Sequence, residues 1–202
     1  MATEVSGLRG HILEAAEELI RAEGLTACTT RAIALRAGCS EGSIYRHFAD
    51  KHALLTEIVH SRFPAFQETM RSLPRRAGTG TVAGNLERVA GSALQFFRAV
   101  LPLVVGPMND HDLLNQQRRN FREANSGPLR MFAYLADYLR DEQAAGRVSR
   151  DASPEHVTRM LLGTCFNQAF VEAFVGDEAA LGPDEEFVAG VVRTLLPALE
   201  PA

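Results

Sequence analysis

No apolar run in this chain is long enough to cross a bilayer, so no membrane-spanning helix is expected. The start, MATEVSGLRGHILEAAEELI, is acidic and interrupted and does not read as a secretory signal. Cysteine is scarce. Cys28, Cys39 and Cys165 have no CxxC spacing and no histidine pattern around them, which points to a reduced, cytoplasmic setting without structural zinc. His52 and His60 stand eight apart rather than four, and no acid pairs with them usefully, so no metal is expected. There is no Gly-rich phosphate loop and no nucleophile–base–orienter arrangement. The chain therefore does not read as an enzyme, and no cofactor is implied. No alternating strand pattern and no internal repeat is present.

Positive charge is also in short supply. The net charge is -4, with 21 Lys and Arg against 25 Asp and Glu. By the bulk rule this disfavours a nucleic-acid binder. Charge acts by surface, however. Between Arg31 and Lys51 four basic groups face only Glu41 and Asp50, so a local, thin basic face survives. Such a face implies modest non-specific affinity and reliance on specific contacts.

What the chain does have is helical periodicity and punctuation. The 46 % hydrophobic content supports a real core. Leu8, Ile12, Ala15, Ala16, Leu19 and Ile20 recur at helical spacing over about 7–23. Thr29 can cap a second helix with Ile33, Ala34 and Ala37 inward, and Ser40 a third anchored by Ile44 and Phe48. Gly38 supplies the positive φ of the turn between them. Asp50 can cap a fourth helix, which could run past Pro64 with a kink to about Leu73. Residues 74–81, PRRAGTGT, read as a turn-rich linker. Residues 82–105 read as a helix apolar on every face and buried in the middle of a domain. Polar residues 110–125, with Arg118, Arg119 and Arg122, suggest a solvated helix. Three further helices are expected over about 128–146, 153–176 and 184–199, the last two opened by Ser153-Pro154 and by Pro183 with its acids. The expected class is all-α with about nine helices: an N-terminal three-helix helix-turn-helix domain over 1–52 and a C-terminal helical domain over 53–202.

The two short helices joined at Ala37-Gly38-Cys39-Ser40 have the form of a helix-turn-helix, whose second helix lies in the DNA major groove. Thr30, Ile33, Ala34, Ala37-Gly38, Ser40, Gly42, Tyr45, His47-Phe48, Lys51 and Leu54 together resemble the tetracycline-repressor (TetR) family of bacterial transcriptional regulators. Only about a quarter of the chain carries the resemblance, but the joint spacing is specific. Cys39 departs from the aliphatic residue usual in that turn and is small and apolar enough to pack there. The N-terminal arm offers only Arg9 where many family members have several basic residues.

The resemblance implies that Tyr45, His47 and Lys51 contact the DNA backbone, with Thr30 in the same region. Arg31, Glu41, Ser43 and Arg46 are the base-reading candidates. An arginine can grip guanine O6 and N7, and a carboxylate can accept from cytosine N4. Gly42, without a side chain, lets the helix approach closely. One short helix reads few bases, so a homodimer on a palindromic double-stranded operator is implied, built on the last two helices. Leu161, Phe170, Phe174, Val188, Val191, Val192 and Leu195 are the interface candidates. The C-terminal domain is expected to hold a hydrophobic small-molecule effector among Phe63, Phe66, Met70, Phe96, Phe97, Val100, Met108, Phe132, Tyr138, Cys165 and Phe166. Asn167, Gln168, Tyr134 and His111 are its polar handles. For each apolar candidate, plain core packing is the competing reading. The implied function is a repressor released from its operator by the effector. A ligand-independent regulator or activator, or a helical carrier or enzyme for apolar ligands, stands as the alternative.

Overall fold

The computed structural model describes residues 2–23, 28–62, 64–105, 114–115, 118–119, 122, 127–176 and 182–201. Among them lie nine α-helices and no strand. They are α1 (Ala2–Glu23), α2 (Thr30–Arg36), α3 (Glu41–His47), α4 (Lys51–Arg62), α5 (Pro64–Ser72), α6 (Val82–Val105), α7 (Pro128–Ala144), α8 (Pro154–Val175) and α9 (Asp184–Leu195). Of the solvated helix expected over 110–125, most residues lie outside those described; Arg118, Arg119 and Arg122 are exposed.

The chain divides into two compact units. The first holds residues 1–63 with 102–106, and the second holds 64–101 with 107–202. The boundary expected at 52/53 falls inside the first unit. The reason is that Leu54, Leu55 and Ile58 of α4 are buried in one cluster with Ile12, Ala16 and Leu19 of α1.

In the first unit α2, α3 and α4 each open on a side-chain cap, and α2 ends in a glycine turn. The Thr29 hydroxyl accepts the Ala32 amide at 3.1 Å, and Ser40 accepts that of Ser43 at 3.1 Å. Asp50 accepts the Ala53 amide at 2.7 Å and opens α4. Gly38, at φ 66°, lets the Cys39 amide turn back to the Ala34 carbonyl at 2.9 Å. Cys39 is half-buried against the apolar cluster, as its size suggested.

In the second unit, α6 is not apolar on every face. Arg88, Gln95 and Ala99, spaced at helical intervals, are exposed, while Leu86, Val89, Ala90, Ala93 and Leu94 fill the core. Nor is 74–81 a loose linker. Leu73–Arg76 forms a 3-10 turn with Leu73 buried, and the segment after it is pinned by side chains. The Gly78 amide donates to the buried Glu142 carboxylate at 3.2 Å. Arg147 donates to the Gly80 carbonyl at 2.7 Å and Asn85 to that of Thr79 at 3.1 Å. Sequence patterning reads glycines and arginines as solvated, and here their partners are more than 60 residues away along the chain.

A second polar cluster joins α6, α8 and the start of α9. Arg98 reaches both Glu172 oxygens at 2.6 and 2.8 Å and both Asp184 oxygens at 2.7 Å. The guanidinium holds both carboxyls below their ordinary range and is itself held more firmly charged. A depressed carboxyl pKa stabilises the fold above the unfolded value and loses that contribution as pH falls through the folded value. Replacing Arg98 by Met is therefore expected to cost about 1–2 kcal/mol at pH 7, part of the cluster being solvent-screened. At pH 3, as the carboxyls approach their depressed folded values, the difference should be smaller. Urea unfolding at the two pH values measures this, and an equal difference at both would contradict it.

Candidate nucleic-acid interface

The turn geometry leaves one side of α3 facing solvent. Ile44 and Phe48 are buried, so they orient the helix; Glu41, Gly42, Tyr45 and Arg46 are exposed, and His47 is half-buried. Tyr45 is 53 % exposed, too open to be merely an aromatic tying α3 to α1. The His47 ring lies 6.5 Å from that of Phe48. Arg31 and Arg46 make no ion pair among the described residues, so both are free to meet a partner's anions or base edges. Lys51 is half-buried, and its ammonium pulls the nearby Cys28 thiol down while burial, the larger effect, pushes it up. Ser43 is partly committed, since its hydroxyl lies 2.9 Å from that of Ser40 within the cap.

Gly42 is informative for what it does not touch. A Cβ there would meet only the Ser40 hydroxyl, at an ordinary 3.8 Å. Nothing inside the chain demands a glycine at this position, which leaves close approach from outside as the physical use of its bare backbone.

Three side chains near this face behave in ways the sequence did not reveal. Arg9 is not a free arm residue: it pairs with Glu57 of α4, and its guanidinium lies 5.0 Å from the Phe48 ring centre. Arg36 turns away from α3 to Glu23, at 3.2 Å. Thr30, opening α2, donates its hydroxyl to Glu41, opening α3, at 2.9 Å. Only the last involves two of the expected site residues.

The expected effector residues separate into groups. The rings of Phe66, Phe96, Phe97 and Phe166 pack on one another, with Phe66 and Phe96 stacked at 4.7 Å and Phe97 edge-on to Phe166 at 5.5 Å. Met70, Val100, Tyr138 and Cys165 are buried beside or near them. Phe132, packed against the same cluster, also borders a groove of about 260 Å³ between α7 and α8 lined by Leu129, Ala133, Thr158 and Arg159. Phe63, Met108 and His111 lie outside the residues whose side chains are described. Of the polar handles, Gln168 is committed to Glu172 at 2.9 Å and Tyr134 lies under Arg130, while Asn167 is exposed.

The expected interface residues also divide. Leu161, Val188, Val192 and Leu195 are buried in the chain's own core, and Val191 packs against it. They point inward because α8 and α9 each need one apolar stripe for their own unit. Phe170 and Phe174 face outward with rings stacked at 6.1 Å, and Phe174 is 84 % exposed.

No helix among the described residues is long and apolar enough to cross a membrane, and none of their His, Cys, Asp and Glu side chains group to hold a metal. A capped, tightly turned helix pair with an outward polar face, among described residues that otherwise form helices and no strand, defines a helix-turn-helix protein. Residues 12–58 match the family described as bacterial regulatory proteins, tetR family. Over 100 residues the chain is 32 % identical to the HTH-type transcriptional repressor KstR2 of Mycobacterium tuberculosis, which covers 50 % of this chain and 48 % of that protein. The match thus spans about half the length of that relative. Over 169 residues it is 27 % identical to the HTH-type transcriptional regulator UidR of Escherichia coli, covering 80 % of each. A solved structure from Mesorhizobium loti shares the fold at TM-score 0.71 and 21 % identity over 97 % of this chain and 98 % of that one. Over its helix-turn-helix segment, residues 12–58, the chain is thus similar to the tetR family of bacterial regulatory proteins, and the rest of the chain shares the fold of such a regulator.

Proposed function

We propose that this protein is a cytoplasmic DNA-binding transcriptional regulator. It acts as a homodimer on a palindromic operator and is released as a repressor by a hydrophobic small molecule. The observation that carries the DNA-binding part is the exposed face of α3, where Glu41, Tyr45 and Arg46 stand outward around a glycine that the chain's own packing does not require. Arg31 and Arg46 suit guanine edges, while Tyr45, His47 and Lys51 suit phosphates. The repressor sense follows KstR2, which is named as one. The outward Phe170 and Phe174 support a second copy as partner, since two half-sites one helical turn apart need two recognition helices. Release works by coupling: an effector favouring a form with altered spacing of those helices lowers operator affinity, typically several-fold to a hundredfold.

Selection of bound duplexes from a random pool tests the reading, with the Tyr45→Ala, His47→Ala double variant alongside. A two-fold site recovered by the parent and lost in the variant is the expected result; no enrichment by the parent at low salt would refute it. One observation favours a second reading of the control. The Phe66, Phe96, Phe97 and Phe166 rings of the C-terminal unit pack on one another, as they would in a regulator that needs no ligand. The two readings separate on whether any apolar compound that raises the melting temperature also lowers operator affinity.

A further inference from the structure

We propose that Glu41 is a specificity-determining residue of the DNA interface and Thr30 its positioning residue: the carboxylate, held by the Thr30 hydroxyl, selects a cytosine in each half-site. This rests on the DNA-binding reading above and deepens it.

Glu41 differs from the other acids around it. Glu57 pairs with Arg9, Glu18 and Glu23 pair with Arg36, and Asp50 caps α4. Glu41 is exposed at the first position of α3, and no cation is paired with it among the described residues. Arg31 and Arg46 lie within a few residues of the Thr30–Glu41 contact in sequence, yet neither neutralises it. An unpaired carboxylate on a surface that meets a polyanion opposes every binding event, whatever the sequence. That opposition is relieved only where the carboxylate meets a donor, and in the major groove the N4 amine of cytosine is the donor that suits an acceptor-only group.

Thr30 makes the preference sharp. Its hydroxyl hydrogen is spent on Oε2 of Glu41 at 2.9 Å, which fixes the side chain and leaves Oε1 as the free acceptor. A long, exposed glutamate would otherwise be spread over several rotamers and would read poorly. The contact links the first residues of α2 and α3, so it also ties the reader to the rigid part of the helix-turn-helix rather than to α3 alone.

Duplex selection with base counting at each position tests the inference in the full-length protein. The parent should show cytosine at one position of each half-site. Glu41→Gln should lower discrimination there about five- to tenfold, admit adenine through its amide, and bind random duplex several-fold more tightly. Thr30→Val should blur the same position, and Thr30→Ser, which keeps the hydroxyl, should restore it. A parent that recovers a two-fold site whose base frequencies are unchanged in Glu41→Gln overturns this inference and leaves the regulator reading standing. A Thr30→Val variant that matches the parent at that position overturns the positioning role. A parent that recovers no site overturns both readings together.

Discussion

Replacing Glu142 by Ala is expected to lower the unfolding free energy by about 3–5 kcal/mol, the cost of removing one partner from a buried charge network. Glu142 is fully buried in α7. One oxygen accepts the Gly78 amide, and the other lies 3.1 Å from Nε of Arg147. Asn85 donates to the Tyr138 oxygen at 3.0 Å beside it. Burial first, and then the neighbouring carboxylate, holds the Tyr138 hydroxyl firmly protonated. Alanine would leave the Gly78 amide without its acceptor and the Arg147 guanidinium, though still bonded to the Gly80 carbonyl, without its counter-ion, and each lost partner adds its own cost. The Gly78 turn would lose its anchor at the same time. In a chain of this size the change corresponds to a drop in melting temperature of about 10 °C or more, measured at fixed protein concentration. Glu142→Gln keeps the shape and one acceptor and should fall between. A Glu142→Ala variant that melts with the parent would mean that water replaces the carboxylate without penalty and that Arg147 and Asn85 suffice to hold the 77–81 turn.

That network marks where the sequence stops being legible. Helix positions were readable because their signals are local: Thr29, Ser40, Asp50 and Ser153 each accept the amide three residues on. The inward faces of α1 to α4 followed from spacing for the same reason. Glu142, in contrast, looks like any surface glutamate four residues from a tyrosine. Its burial depends on Gly78 and Asn85, far away in the chain, and no window of periodicity contains both. The linker reading of 74–81 failed on that point. Arg98 was lost in the same way, hidden inside an apolar stretch whose polar side was too narrow to notice. The aromatic stripe of α6 shows a different limit. Phe66, Phe96, Phe97 and Phe166 do come together as a group, but sequence cannot distinguish rings that line a space from rings that fill it. The family pattern places Tyr45, His47 and Lys51 on the outside, yet the link from Thr30 to Glu41 needed coordinates, because it joins two helices across the turn.

Phosphate contacts by Lys51 and Tyr45 should leave different traces in salt titrations. A lysine on a phosphate displaces a condensed counterion, so its loss flattens the dependence of log affinity on log salt by about 0.9. Two lysines in a two-fold complex give about 1.8, and Lys51→Gln is expected to show that change on operator duplex and on random duplex alike. Tyr45 carries no charge. Tyr45→Phe removes a hydrogen bond to a charged acceptor, about 1.5–3 kcal/mol per subunit, and so about a hundredfold or more in affinity for the dimer. Its salt slope should stay that of the parent. The two variants therefore separate a counterion effect from a hydrogen-bond effect at residues six apart on neighbouring helices. Half-burial of Lys51 strengthens the expectation, since a side chain already held by its surroundings loses little freedom on meeting a phosphate. Equal slopes for Lys51→Gln and the parent would place the ammonium away from the backbone. A flattened slope for Tyr45→Phe would mean that the phenol orients a cation, with Arg46 beside it in the chain the one to test next.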